Sequence, residues 1–404
     1  MLSPKQQEYL QHCRHRWNIK VGATGSGKSW LDYTLVIPKR VLACRGEGAI
    51  VLLGNTRGTV CRNIIDPMRD IWDETLVSGI HADSTITLFG KKAHVLGADN
   101  KKHMARIQGM TIEYAYGDEM TTWAEDVFQM LKSRLRCKHS VYDGTCNPDS
   151  PYNYVKRFLD SENTDIYCQT STIDDNPNLP PEFVTALKHE YAGTVYYDRF
   201  ILGRWALAEG RVYDMFDRDK HVVPSIERAY TAYYISMDYG TQNPTAMLLW
   251  GKYNGVWYAV TEYYYSGREQ KRQKTDEDYH ADLVKLAGDH PIRAVIIDPS
   301  AASMIACIKK HGKFHVKQAD NAVLDGIRNT ATALNAGIIK IGDQCKRTIG
   351  EFEAYVWDGK ASERGEDKPI KDNDHAMDAI RYFCQTVLVK SKAKTINRYE
   401  LGIY

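Results

Sequence analysis

The residues that can do chemistry fall into two groups along the chain, one suited to phosphates and one to metal ions. The first opens with Gly22-Ala23-Thr24-Gly25-Ser26-Gly27-Lys28-Ser29, a full G-x-x-x-x-G-K-[ST] pattern. Its glycines let backbone N–H groups converge on phosphate oxygens, and a helix starting there adds partial positive charge. Lys28 is expected to reach the β- and γ-phosphates of a nucleoside triphosphate, and the Ser29 hydroxyl to ligate Mg²⁺. Asp118 and Glu119 close a β-rich run. That pair suits hydrolysis of the triphosphate: Asp118 holds the ion through water, and Glu119 polarises the attacking water as general base. Thr145 and Asn147, at the tip of the next strand, are placed to sense the γ-phosphate and couple it to movement. Arg134 and Arg136 can serve as an arginine finger for a neighbouring subunit, where a guanidinium stabilises the charge developing in phosphoryl transfer. Gln6 and Gln7 either read an adenine edge or stand solvated on a helix. Gln7 is taken as the nucleotide contact.

The second group is three acids at strand or helix ends: Asp238, Asp298 and Asp378. Two close Mg²⁺ or Mn²⁺ ions need several converging carboxylates. Such ions clamp the attacking water and the leaving 3′ oxygen of a phosphodiester. Asp374 and His375, four and three residues before Asp378, share its helix face and join the candidate metal ligands. Glu262 is a possible further ligand but is expected to be structural. The order strand-Asp, hairpin, strand-Asp, helix-Asp looks like the ribonuclease H-like arrangement. Candidate DNA contacts are Arg268, Lys271, Arg272, Lys274, Lys91 and Lys92, because Lys and Arg grip phosphates without reading bases.

The elements that must position these residues follow from pattern. A short helix is predicted over residues 3–16. Asn18–Val21 then forms a strand, and a helix begins at Trp30. Ala49–Gly54 reads as a buried parallel strand and Asn63–Leu76 as a helix. Thr85–Phe89 and Ala93–Leu96 form a hairpin across Gly90-Lys91-Lys92. Strands are predicted at Thr111–Tyr116 and Val141–Cys146. Their alternation with helices predicts an α/β fold with a mostly parallel, doubly wound sheet. Later strands are Ala232–Asp238, Thr245–Gly251, Val256–Tyr264 and Ala294–Ile297, the middle two joined at Tyr253-Asn254-Gly255. Asp372 through Tyr382 reads as a helix start. The expected domains are 1–205 for the P-loop ATPase, 206–228 as a linker, and 229–404 for the nuclease. The tail with Lys390, Lys392, Lys394 and Arg398 is basic.

Composition sets bounds. At 404 residues the chain is long enough for two cores. A net charge of +2 neither predicts nor excludes nucleic acid, since a basic patch can hide in a balanced total. The nine cysteines form no C-x-x-C pair, which argues against a zinc ribbon or disulfide framework and for a reducing compartment. No apolar run has transmembrane length, so the expected location is cytoplasmic, without a membrane partner.

The pairing of such an ATPase with such a nuclease resembles the large subunit of tailed-phage terminases, in its PBSX-type branch, over nearly the whole chain. Gly22–Ser29, Gly117-Asp118-Glu119 and Thr145-Cys146-Asn147-Pro148 look like that family's nucleotide, catalytic and coupling motifs. Gly203-Arg204-Trp205 through Tyr213 looks like its interdomain signature. Met237-Asp238-Tyr239-Gly240, Ile297-Asp298-Pro299-Ser300 and Asp374-His375-Ala376-Met377-Asp378 look like its nuclease motifs. The resemblance implies a motor that hydrolyses ATP with Mg²⁺ to pull viral double-stranded DNA into a procapsid, and a nuclease with two Mg²⁺ or Mn²⁺ that cuts the concatemer. It also implies a portal protein and a small terminase subunit as partners, and a homo-oligomeric ring on the procapsid. The location implied is the host cytoplasm and, transiently, the portal, not the finished virion. A helicase–nuclease would need a second motor domain, for which the chain has no room. An assembly protein with decayed sites would not keep Lys28, Glu119 and the acid set.

Overall fold

The computed structural model describes residues 2–226, 228–240 and 243–389. The basic tail after Val389 lies outside the described residues. The chain forms two compact units. The first runs to Thr185 and adds Val195–Leu207 and Glu363–Glu366. The second comprises Ala186–Thr194, Ala208–Ser362 and the chain from Asp367.

The sheet of the first unit is built from β1 (Trp17–Gly22), β2 (Ala49–Gly54), β3 (Thr85–Leu88), β4 (Lys91–Gly97), β5 (Ile112–Gly117), β6 (Val141–Cys146) and β7 (Ile166–Ser171). Their order is β3-β4-β2-β5-β6-β1-β7, and every neighbour pair is parallel except β3 with β4. β2 reads Ala-Ile-Val-Leu-Leu-Gly and is buried over five of its six residues, as a strand covered on both faces must be. An aromatic core of Trp17, Tyr142, Phe128 and Phe158 packs on one face.

Two boundaries differ from expectation for local reasons. The 85–97 hairpin turns at Phe89-Gly90 rather than Gly90–Lys92. Both residues take positive φ (48° and 78°), and that pair of angles is what a two-residue turn needs to match the twist of its strands. The helix expected from Asn63 to Leu76 begins at Arg57, where Thr56 and Thr59 form a capping box, and ends at Trp72 before Asp73 with φ 67°.

The sheet of the second unit comprises β8 (Val222–Val223), β9 (Tyr233–Asp238), β10 (Thr245–Tyr253), β11 (Val256–Tyr265), β12 (Ile292–Ile297), β13 (Val316–Gln318) and β14 (Ile339–Gly342). The order is β13-β12-β9-β10-β11-β14-β8, with β10 antiparallel to both β9 and β11 and the other pairs parallel. The β10–β11 hairpin turns at Asn254-Gly255, as its sequence predicts, with φ of 46° and 83°. Helix His375–Phe383 lies on β9 and β10, and Phe383 stacks on the fully buried Trp250 at 4.1 Å between ring centroids. Residues 206–226, expected as a linker, carry structure. Val222–Val223 extends this sheet by pairing with β14, and helix Arg218–His221 leads into it.

Candidate functional sites

In the first unit, β6 lies between β1 and β5. Parallel strands bring their C-terminal ends to one edge, so the Gly22–Ser29 loop, Asp118-Glu119 and Thr145–Asn147 meet there by topology. Together they line a cleft of about 590 Å³. Gly27 has φ 82° and caps the helix that starts at Lys28, a conformation that costs a glycine little. Gly203 also bears on the loop. With φ 66°, a Cβ there would lie 2.4 Å from the Ser171 carbonyl oxygen and 3.2 Å from the Cα of Gly22. Only glycine lets this segment lie against the loop strand.

Lys28 is held by four oxygens. Its Nζ donates to the Gly22 carbonyl at 2.8 Å, the Ala23 carbonyl at 2.7 Å, Ser26 Oγ at 3.2 Å and Asn147 Oδ1 at 3.1 Å. Burial lowers its pKa to about 8. A phosphate would replace these neutral acceptors with charged ones. Asp118 is buried and takes hydrogen bonds from Thr145 Oγ1 at 2.9 Å, Asn63 Nδ2 at 3.2 Å and the Ser29 hydroxyl. Burial raises its carboxyl above the usual range, and these donors and Lys28 work against that rise. The Thr145 oxygen also accepts from the Glu119 N–H at 3.4 Å. Glu119 sits in the left-handed region (φ 52°), strained for a non-glycine residue. Its carboxyl is raised by burial first and by the Asp118 charge second, with Lys28 and Arg62 opposing. A raised carboxylate facing a phosphate cleft is a stronger base toward water.

One expectation needs correction. Gln7 is exposed, and its amide donates to the Leu2 carbonyl. Gln6 is the one at the loop: it is buried, its Oε1 accepts from the Ser3 N–H, and its Nε2 donates to the Gly27 carbonyl at 3.2 Å. The Ser3-x-x-Gln6 capping box fixes which glutamine turns inward, and that pattern is legible in the sequence. Gln6 therefore spends its amide on the loop backbone rather than holding it free for a base. Arg134 and Arg136 lie just before β6, and Leu135 accepts from Arg16, just before β1. They occupy the edge of the sheet opposite the loop, about 20 Å away along a six-residue strand. Arg134 contacts Met130, and Arg136 the Ser133 carbonyl. They do not reach their own cleft, so the expected role toward a neighbouring subunit is neither met nor contradicted within one chain. Asn63, Arg62 and Asn176, which holds the Gly25 carbonyl at 2.6 Å, belong to no motif, and sequence reasoning does not find them.

In the second unit, Asp238 ends β9, Asp298 follows β12, Asp374 caps helix His375–Phe383, and Asp378 lies in that helix's first turn. All four, with His375, line a cleft of about 630 Å³. His375 Nδ1 lies 2.8 Å from Asp238 Oδ2. The Tyr382 hydroxyl lies 3.4 Å from Asp238 Oδ1 and 3.3 Å from Asp298 Oδ2. Arg381 Nη2 donates to Asp378 Oδ1 at 2.8 Å, and Asn321 Nδ2 to Asp298 Oδ2 at 3.0 Å. Burial raises the carboxyls of Asp238 and Asp374, and the Asp378 charge raises both further. At Asp298 burial is outweighed by hydrogen bonds from Ser300, Asn321 and Tyr382, which hold its carboxyl below the usual range. Glu351, pushed up to about 7 by burial, caps this helix by accepting from the Ala376 and Met377 N–H groups. Glu262 is structural as expected, capping helix Lys346–Ala354 through the Arg347 and Thr348 N–H groups. Tyr382, Asn321 and Glu351 join this cluster without having been among the expected residues. A tyrosine one turn beyond Asp378 is the sequence signal that could have found the first of them.

The basic candidates separate. Arg268 lines the acidic cleft. Lys274 pairs with Asp282. Lys91 donates to the Leu42 and Cys44 carbonyls at the end of helix Ile37–Ala43, and Lys92 pairs with Asp83. Among the described residues no helix is long and apolar enough to cross a membrane.

Residues 21–220 match the family model described as terminase large subunit, T4likevirus-type, N-terminal. No curated protein matches. Among solved structures, the large terminase of a thermophilic bacteriophage in complex with ADP is 40% identical, with 96% of this chain and 100% of that chain covered and a TM-score of 0.83. A second crystal form of the same terminase gives 40% identity, 96% and 99% coverage and a TM-score of 0.85. Its complex with ATP-γ-S gives 40%, 96%, 100% and 0.82. The two clefts thus sit in a chain matched over 96% of its length by a phage large terminase, and the chain belongs to the terminase large-subunit family.

Proposed function

We propose that the first unit is an ATPase that drives double-stranded DNA into a procapsid, and that the second is an endonuclease that cuts that DNA. The observation that carries the ATPase reading is the meeting of Lys28, Ser29, Asp118, Glu119, Thr145 and Asn147 at one sheet edge. The thermophilic phage terminase was solved with ADP and with ATP-γ-S, which supports a nucleotide in the equivalent cleft here. Lys28 binds the β- and γ-phosphates, and Ser29 and Asp118, already hydrogen-bonded to each other, hold Mg²⁺. Glu119 takes the proton of the attacking water. Thr145 touches both acids and Asn147 touches Lys28, so both can respond when the γ-phosphate leaves. Arg134 or Arg136 acts as a finger only toward a neighbouring subunit that faces that edge of the sheet.

For the nuclease, the donor set fits hard divalent ions: four carboxylates and an imidazole converge on one cleft. Asp238, Asp298 and Asp378, with Asp374 and His375, would hold two Mg²⁺ or Mn²⁺, which when bound activate water and steady the leaving oxygen. Tyr382 holds Asp238 and Asp298 in mutual register, and Arg381 orients Asp378. Arg268 meets the phosphate beside the cut. The domains are assigned as ATPase to about residue 205 and nuclease from about 229. The partners are DNA, a portal protein, a small terminase subunit and further copies in a ring, met in the host cytoplasm.

The test is ATP hydrolysis by the purified chain with and without double-stranded DNA, and plasmid nicking in Mn²⁺. Lys28→Ala should lose hydrolysis. A wild-type chain that hydrolyses no ATP even with DNA and a portal ring would count against the motor reading.

A further inference from the structure

We propose a second metal site in the second unit, separate from the acidic cleft: a zinc-type site held by Glu277, Cys307 and His311. Helices Asp276–Ala287 and Ala302–His311 pack together. One ligand atom from each of the three residues lies within 4.8 Å of the other two. Cys307 and His311 are four apart on one helix, so they share a face, and Glu277 comes from the other helix. His311 Nε2 lies 2.5 Å from Glu277 Oε2, and the Cys307 thiol hydrogen-bonds to the same carboxylate. Zinc bonds of about 2.0–2.3 Å from each ligand atom to a shared centre are within reach of side-chain rotation here.

The cluster lies at the surface: Glu277 and His311 are exposed and already paired with each other, and Cys307, 7% exposed, is its buried member. His280, one helical turn after Glu277, is also 7% exposed. Its ring stacks on that of His311 at 3.9 Å between centroids and 13° between planes. Its Nε2 is buried without a hydrogen-bond partner. The stack limits rotation of the His311 ring, which presents Nε2 to the cluster. Lys310 pairs with the other Glu277 oxygen at 3.0 Å, leaving Oε2 to the cluster.

A thiolate, an imidazole and one carboxylate make a borderline-soft set that selects Zn²⁺ over Mg²⁺ or Ca²⁺. Binding releases the thiol proton to solvent. The acidic cleft has no thiol. Asp298 precedes the helix that bears Cys307, and Cys307 lies about 7.5 Å along that helix from its start at Ala302. The site would pin together the two helices that flank β12, the strand leading to Asp298.

The experiment is titration of the full chain with Co²⁺ in place of Zn²⁺. One equivalent should give a thiolate-to-cobalt charge-transfer absorption, which cobalt in an all-carboxylate and imidazole cleft cannot give. Asp238→Ala should keep the band and Cys307→Ser should remove it. His280→Ala should weaken cobalt binding by freeing the His311 ring. In the wild-type chain, excess Zn²⁺ should displace the cobalt and abolish the band, a readout that needs no variant to fold. A wild-type chain with no charge-transfer band, a band that survives Cys307→Ser, or a band unchanged by excess Zn²⁺ would overturn the proposal.

Discussion

Replacing Thr145 with valine keeps the shape of the side chain and removes one hydroxyl. That hydroxyl donates to Asp118 Oδ1 at 2.9 Å in a buried setting and accepts from the Glu119 N–H at 3.4 Å. A hydrogen bond to a charged group contributes about 1.5–3 kcal/mol. If that contribution serves to hold the two acids in register, its loss lowers kcat for ATP hydrolysis about ten- to hundredfold. Thr145 is not among the hydrogen-bond partners of Lys28, so the affinity for a non-hydrolysable ATP analogue should change little. Thr145→Ser should retain most of the activity. The assay is steady-state hydrolysis beside equilibrium binding of the analogue. Hydrolysis within about twofold of wild type, or affinity falling in step with kcat, would refute the register argument.

Other outcomes follow from the same structure. Lys20 and Asp32 form an ion pair at 2.7 Å, both buried, so Lys20→Met or Asp32→Leu alone should destabilise by about 3–5 kcal/mol. Combining Lys20→Met with Asp32→Leu should cost well below the sum in urea unfolding, and strict additivity would count against the pair. Gly203→Ala places a Cβ 2.4 Å from the Ser171 carbonyl oxygen and should lower stability by about 1–3 kcal/mol, with weaker nucleotide binding. Arg268→Ala should reduce the salt slope of DNA binding by about one, while Lys274→Ala, its ammonium already paired with Asp282, should leave the slope unchanged. Tyr382→Phe should slow Mn²⁺-dependent nicking and raise the metal concentration it requires, and equal curves for both chains would dismiss the bridging role.

The elements carrying motifs are legible in the sequence because local chemistry and topology agree. The continuous apolar run of β2, the Asn254-Gly255 turn and the glycines of the 22–29 loop each specify one conformation. The acids of the second unit are legible because each sits at the end of a strand or the start of a helix, where the fold must expose it. Residues that act through another residue are not. Asn63 holds Asp118 from the helix after β2, and Tyr382 spans two acids on different strands. Neither contact has a fixed sequence spacing. Gln6 rather than Gln7 was within reach of the sequence, because the capping box at Ser3 turns Gln6 inward. For Arg134 and Arg136 residue type suggests the chemistry, and place, before β6 at the edge opposite the loop, restricts it to a neighbouring subunit.

The central claim is that one chain carries two independent hydrolytic sites. It is tested most directly by measuring ATP hydrolysis and Mn²⁺-dependent plasmid nicking on the same preparations of Glu119→Gln and Asp238→Ala. Glu119→Gln should lose hydrolysis and keep nicking, and Asp238→Ala should do the reverse. Loss of both activities in either folded variant, or nicking that persists without Asp238, would contradict it.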